Sequence, residues 1–249
     1  MTRLRFTERP EGTATMLSGQ PNAVNYYRWI VRELSPYLGT RILDIGGGYG
    51  SHLEHILIRN PELVTSIDLS DTFVEMMRDR FQQYPQFFAQ QFDFGLDDAR
   101  AELVKSRFDT ITCLNVLEHI EDDVTALKHM YEILHARQGT LLLQVPAHEL
   151  LYGTMDSLAG HFRRYSRSYL RTTLLKAGFH IDRLFFFNSF GALPWFINAR
   201  LLKPKTLEAQ NLNDQLVIYD RYFIPVLRRV EALIKFPFGQ SLMAVAKAD

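Results

Sequence analysis

Arg41-Ile42-Leu43-Asp44-Ile45-Gly46-Gly47-Gly48-Tyr49-Gly50-Ser51 decides how the rest of the chain is read. A short apolar run ends in an acid and opens at once into Asp44-x-Gly46-x-Gly48-x-Gly50, the pattern of a strand, a glycine turn and the start of a helix. Glycines at alternate positions let the backbone take positive φ and let a ligand approach the main chain closely. The helix that follows offers unpaired N–H groups to an anionic group. The stretch therefore reads as a cradle for a nucleotide-type ligand. Two familiar cradles fit poorly: G-x-G-x-x-G needs glycine or alanine where Ser51 stands, and G-x-x-x-x-G-K-[ST] needs a lysine that is absent.

Moving outward, further apolar runs end in polar residues at regular intervals. Residues 63–67 lead into Asp68, about twenty residues after the glycines, where a carboxylate can accept hydrogen bonds from both hydroxyls of a ribose. Residues 87–92 lead into Asp93, residues 108–114 into Asn115-Val116-Leu117-Glu118-His119, and 139–145 read as a fifth strand. Helical periodicity over 50–59, 71–82 and 122–135 separates these runs, and such alternation predicts a parallel sheet with right-handed crossovers. Upstream, the first twenty residues are irregular and 22–37 carry apolar residues at helical spacing. Downstream, 167–177 is a helix ending before Gly178, 180–187 a sixth strand and 241–248 a seventh. About fifty residues separate the last two strands, more than a hairpin requires, and within them 191–202 and 220–235 look helical. The expected organisation is one domain over 1–249, with an N-terminal arm and helix at 1–37 and a helical appendage at 188–240.

The motif D-x-G-x-G-x-G after a strand resembles motif I of the class I S-adenosylmethionine (SAM) dependent methyltransferases, and the ordered strand ends agree over roughly residues 22–187. Within that family the chain is similar to bacterial small-molecule methyltransferases with N-Y-x-R-W, here Asn25-Tyr26-Tyr27-Arg28-Trp29, and G-H-x-R-R-Y, here Gly160-His161-Phe162-Arg163-Arg164-Tyr165. The resemblance implies an α/β, Rossmann-like sheet of seven strands, the seventh antiparallel beside the sixth, with a helical insertion between them. It implies SAM as cofactor, contacted by Asp44, Gly46, Gly47, Gly48, Gly50, Asp68, Leu69, Asp93, Phe94 and Asn115. Asp93 holds the position that binds the adenine amino group in this family.

Methyl transfer is an in-line displacement at carbon that needs alignment more than acid–base help, but a hydroxyl acceptor must lose a proton and gains from a nearby base. His161 and His119 are the candidates. The plain alternative for each is a histidine that caps or packs. Quinone-biosynthesis and small-RNA methyltransferases hold a divalent metal with E-x-x-E-H and a downstream histidine. This chain has Asn115-x-x-Glu118-His119 plus His161, one carboxylate short, so no metal is expected although an amide oxygen can still ligate a hard cation. The absence of N-P-P-Y or D-P-P-Y after the fourth strand sets aside enzymes that methylate adenine or glutamine nitrogens. Tyr27, Tyr152, Arg163, Arg164, Tyr165 and Trp195 are the expected acceptor contacts, with Arg163, Arg167 and Arg171 on one face if their spacing is helical. O-methylation of an apolar metabolite is the expected reaction; a protein that binds SAM without turnover is the competing class.

Composition narrows the partners. Twenty-eight basic and 28 acidic side chains leave no formal net charge, so no global field draws the chain to nucleic acid. The single cysteine, Cys113, sits in an apolar strand and reads as a small core residue. No apolar leader follows Met1 and the most apolar stretch, 184–202, is interrupted by Asn188, Pro194, Asn198 and Arg200, so a cytoplasmic location is expected. Aromatic and basic residues over 184–235 point to a peripheral membrane contact or a homodimer.

Overall fold

The structure is a computed structural model that describes residues 4–7, 20–191 and 216–249. Seven strands, β1 (Arg41–Ile45), β2 (Leu63–Asp68), β3 (Phe87–Gln91), β4 (Thr110–Leu114), β5 (Thr140–Pro146), β6 (His180–Phe187) and β7 (Ser241–Lys247), form one sheet in the order β3-β2-β1-β4-β5-β7-β6. The first five are parallel, and β7 runs antiparallel between β5 and β6. The central strands are buried on both faces, as a parallel sheet covered by helices on each side demands.

Period-two alternation sends Leu43, Ile45, Ile111 and Cys113 to one face. There they pack with Leu127, Met130 and Ile133 of α5 (Asp123–His135) and Leu170 and Leu174 of α7 (Arg167–Lys176). Cys113 is a free, buried core residue as its sequence context implied. On the other face α1 (Val24–Leu34) lays Trp29, Ile30 and Leu34 against Leu142, Met243 and Val245. Nearby, α2 (Leu53–Leu57) and α3 (Asp71–Phe81) cover Ile42 and Val64.

Two short helices lack a sequence expectation: α4 (Asp97–Lys105), between β3 and β4, and α6 (Thr154–Ala159), after β5. The triple of Arg163, Arg167 and Arg171 does not share a helix face, because α7 begins at Arg167 with Ser166 as its N-cap and Arg163 lies in the preceding loop. In the appendage, a π-helical turn (Tyr219–Phe223) runs into α8 (Ile224–Leu233), so the helix expected at 220–235 starts earlier, by 216, and ends at Leu233. The expected helix at 191–202, and Trp195 with it, lies outside the described residues apart from Gly191. No helix among the described residues is long and apolar enough to cross a membrane.

Candidate cofactor crevice and acceptor site

The glycine turn owes its shape to residue size. Gly46 has φ +72°, and a Cβ there would sit 2.4 Å from Val116 Cγ2. A Cβ on Gly47 would lie 2.2 Å from Ser66 Oγ. Gly46 N donates to Ile67 O at 2.8 Å and Gly48 N to Asp68 Oδ2 at 3.0 Å, which stitches the turn to the end of β2.

Asp44 works beneath the turn rather than on its surface. It is fully buried, and its carboxylate accepts from Ser66 Oγ at 2.8 Å and Thr112 Oγ1 at 2.7 Å and pairs with His52 Nε2 at 2.7 Å. Burial alone would raise its pKa, but His52 and these hydroxyls hold it below the ordinary value. The expected ligand contact at Asp44 is thus replaced by a supporting role across β1, β2 and β4.

Asp68 is placed at the crevice. Its Oδ1 accepts from Ser70 N at 2.9 Å and its Oδ2 from Gly48 N. Burial raises its pKa, opposed by those two amides. A carboxylate has about four acceptor positions, so capacity remains for two hydroxyl donors. Leu69 beside it is exposed. Asp93 accepts from Gly95 N at 2.9 Å. Phe94 corrects its expectation, since its ring is buried in the core, edge-on to Phe6 at 6.2 Å. Asn115 follows β4 in the left-handed region at φ +56°, a conformation asparagine tolerates better than most side chains. The turn, Asp68, Asp93 and Asn115 therefore line the carboxyl ends of four adjacent strands, about the point between β1 and β4 where strand order reverses. This is where open α/β sheets bind ligands.

A second cluster follows β4 and β5. Tyr165 N donates to Pro146 O at 2.9 Å and His148 N to Tyr165 O at 2.9 Å, closing residues 147–165 into an excursion that folds back over Glu118. Phe162 N donates to Glu118 O at 2.8 Å. Within it Asp156 is fully buried, and its Oδ1 receives both His161 Nδ1 at 2.9 Å and Arg164 Nε at 2.7 Å. Burial pushes the Asp156 carboxyl up, but His161 and Arg164 bring it below its usual value. With Nδ1 paired to Asp156, the second ring nitrogen of His161 is left for another partner. His119 stands edge-on to His161, ring centroids 4.8 Å apart, and burial with the His161 charge drives its pKa down to about 3. Glu118 is buried with neither carboxylate oxygen hydrogen-bonded, and burial pushes its pKa up to about 7 despite nearby His161. One donor atom from each of Glu118, His119 and His161 lies within 4.8 Å of the others.

The described arm crosses this cluster. Thr7 N donates to His119 O at 3.1 Å, the Thr7 hydroxyl donates to Gly160 O, and Phe6 bridges to Ile120.

Tyr152, Arg163 and Arg164 line a cavity with Glu149, Phe162 and Tyr169, and the expected acceptor contacts also have partners within the fold. Tyr165 is fully buried with its hydroxyl on Asp123 at 3.2 Å, and Arg164 is 2% exposed with its guanidinium on Asp156 and Ala147 O. Tyr27 is buried between Tyr26 and His52. Arg163 donates to Ile120 O at 2.8 Å and pairs with Asp123 at 3.3 Å. Tyr152 donates its hydroxyl to His161 O at 2.8 Å, so it braces the candidate base. The sequence sets Asp156 near His161 without assigning it a role, and does not reveal Glu118 as an unpaired buried acid. The signal for the first is the short Asp156-x-x-x-x-His161 spacing; nothing in the sequence marks the second as buried.

A family model described as a methyltransferase domain matches residues 20–184. An uncharacterized protein of Haemophilus influenzae is 33% identical over 105 residues, 42% of this chain and 41% of its own length. The ubiquinone biosynthesis O-methyltransferase of Coxiella burnetii is 29% identical over 94 residues, 36% of this chain and 37% of its own. This chain thus spans less than half the length of the curated relatives it matches. Among solved structures, a SAM-dependent methyltransferase from Mesorhizobium loti aligns with a TM-score of 0.57 at 16% identity, over 87% of this chain and 95% of that one, a likeness that shows the fold. With the family matched over most of its length and the sheet closed by an antiparallel seventh strand, the chain belongs to the class I SAM-dependent methyltransferases.

Proposed function

We propose that the chain transfers the methyl group of SAM to a hydroxyl oxygen of a small, largely apolar acceptor, with His161 as general base. The cofactor, when bound, supplies an electrophilic methyl on a sulfonium. Gly46, Gly47, Gly48 and Gly50 give it room against the main chain, Asp68 takes its ribose hydroxyls, and Asp93 and Asn115 flank its base and its amino acid end. The observation that carries the reading is the buried Asp156–His161 pair beside the strand ends. Asp156 fixes one ring nitrogen as the donor and leaves the other to accept the acceptor's proton. Arg164 keeps Asp156 ionised, so the imidazolium formed on proton uptake has its counter-charge in place. The likeness to a ubiquinone biosynthesis O-methyltransferase supports oxygen as the atom methylated and an apolar acceptor.

One observation favours a second reading, in which a divalent cation assists. Glu118 buries two unbonded carboxylate oxygens next to imidazole nitrogens of His119 and His161. Two imidazoles and a carboxylate suit a first-row transition ion better than magnesium or calcium. Two ligands at about 2.1 Å from one ion stand no more than about 4.2 Å apart, so the three side chains fit after a small closing rotation. Bound there, a cation would supply charge stabilisation for an alkoxide, and Asp156 would orient His161 as a ligand instead of a base.

His161→Ala separates the readings. If His161 is a base, turnover falls about 10²–10⁴-fold with SAM affinity intact, and a chelator leaves the wild type unaffected. Activity abolished by chelation and restored by one divalent ion selects the metal reading. Full activity in His161→Ala and in His119→Ala refutes both.

A further inference from the structure

The appendage is held to the domain by its acids. Asp220 accepts from Asn25 N at 2.9 Å and Tyr26 N at 2.7 Å, capping the start of α1. Glu231 accepts from Ser189 N at 2.7 Å and Asn188 N at 3.2 Å. Both carboxylates are buried, with Ile224 between them. These ties fix which side of the helix faces in. They leave Ile218, Tyr222, Val226 and Leu233, spaced to fall on one side, 53%, 62%, 55% and 87% exposed. The chain beyond α8 extends the same character: Ile234 and Phe238 are exposed, and the rings of Phe190, Phe236 and Phe238 cluster at centroid spacings of 5.4 and 5.7 Å.

The rim of this face is cationic. Arg221, which lies over the Tyr222 ring, Arg229 and Lys235 are exposed along the same segment, and none of them enters an ion pair among the described residues. The only acids between 216 and 240 are Asp220 and Glu231, both spent inward. The whole chain carries no formal net charge, so this is local segregation rather than a basic protein.

We propose that the outward face of residues 216–238 docks on an anionic phospholipid surface. Aromatic and aliphatic side chains beside exposed arginines and lysine are what an interfacial helix presents to headgroups and the acyl boundary. A second copy of the chain would set the same cations against each other with no acid to pair them, which opposes a symmetric dimer through this face. A polyanion without an apolar phase would leave the exposed side chains in water. The segment leans on α1 through Asp220. The docking itself stands apart from catalysis.

The test is flotation of the full chain, without SAM or acceptor, on phosphatidylcholine vesicles with and without phosphatidylglycerol. The wild type should float with the anionic vesicles and not the neutral ones, and less so as salt is raised. Arg229→Gln with Lys235→Gln should weaken partitioning roughly fivefold per charge, on the order of 20-fold together. Val226→Asp with Leu233→Asp, at exposed positions that folding does not need, should abolish it while circular dichroism is unchanged. Absence of wild-type flotation on anionic vesicles overturns the proposal, as does equal flotation of the aspartate variant. So does a wild-type dimer in light scattering that the aspartate variant dissociates, which would make the face a contact between copies. Methyl transfer that persists while flotation fails removes the docking and leaves the proposed function intact.

Discussion

Glu118→Gln should stabilise the protein increasingly as pH rises. Glu118 is 1% exposed with no hydrogen bond to either carboxylate oxygen, and burial lifts its pKa from the ordinary 4.5 to about 7. Between those two values the native state holds a proton that the unfolded chain has lost. Its contribution is therefore fully present below about pH 4.5 and is lost as pH rises through about 7. At 1.36 kcal/mol per pH unit of displacement, the ionised side chain costs the native state roughly 3 kcal/mol at about pH 8 and under about 1 kcal/mol at about pH 5. His119 works in the opposite sense. Its folded-state pKa of about 3 makes stability rise with pH up to its ordinary 6.5, partly masking Glu118 in the wild type. The difference between wild type and Glu118→Gln cancels that term, because the causes acting on His119 are burial and His161, not Glu118. Urea unfolding of both proteins in EDTA should show the variant gaining about 2–3 kcal/mol on the wild type between about pH 5 and pH 8. The amide itself leaves an unsatisfied polar group in the site, a cost common to every pH. A stability difference flat across that range would refute the buried, unpaired carboxylate.

Asp156→Ala leaves the 2%-exposed Arg164 guanidinium without its counter-charge, and should cost about 3–5 kcal/mol in urea unfolding. Asp156→Ala with Arg164→Met should cost less than the sum of the two single changes, and strict additivity would contradict a direct pair. Asp220→Ala removes the acceptor for the first amides of α1 and should lower stability by about 1–2 kcal/mol. Hydrogen exchange at Asn25 and Tyr26 should quicken selectively, and an unchanged rate there would contradict the cap.

The first half of the sheet is legible because β1 to β4 each lead into a residue with a distinct job. Asp44, Asp68, Asp93 and Asn115 punctuate apolar runs that length and alternation mark as strands, and Gly46–Gly50 leaves few other turns to choose from. Helix α4 gives no helical period because, among its described side chains, Leu103 is the one buried apolar residue. The acceptor side was read less well for a different reason. Arg164, Tyr165 and Phe94 are residue types that serve equally in a pocket wall or a core. The excursion over 147–165 has no period to say which way a side chain points. Its order comes from Asp156, Arg164 and His161 meeting in three dimensions, and from Glu118 being covered by a loop more than twenty residues further on.

Calorimetric titration of S-adenosylhomocysteine into the wild type and Asp68→Ala tests the central claim most directly. A single site in the crevice predicts binding to the wild type in preference to a nicotinamide dinucleotide. Loss of the Asp68 carboxylate, with its charged hydrogen bonds to two hydroxyls, should weaken binding by about 2–4 kcal/mol, a rise in Kd of roughly 30-fold or more. A wild type that takes the dinucleotide and not S-adenosylhomocysteine would contradict the account, and so would unchanged affinity in a folded Asp68→Ala protein.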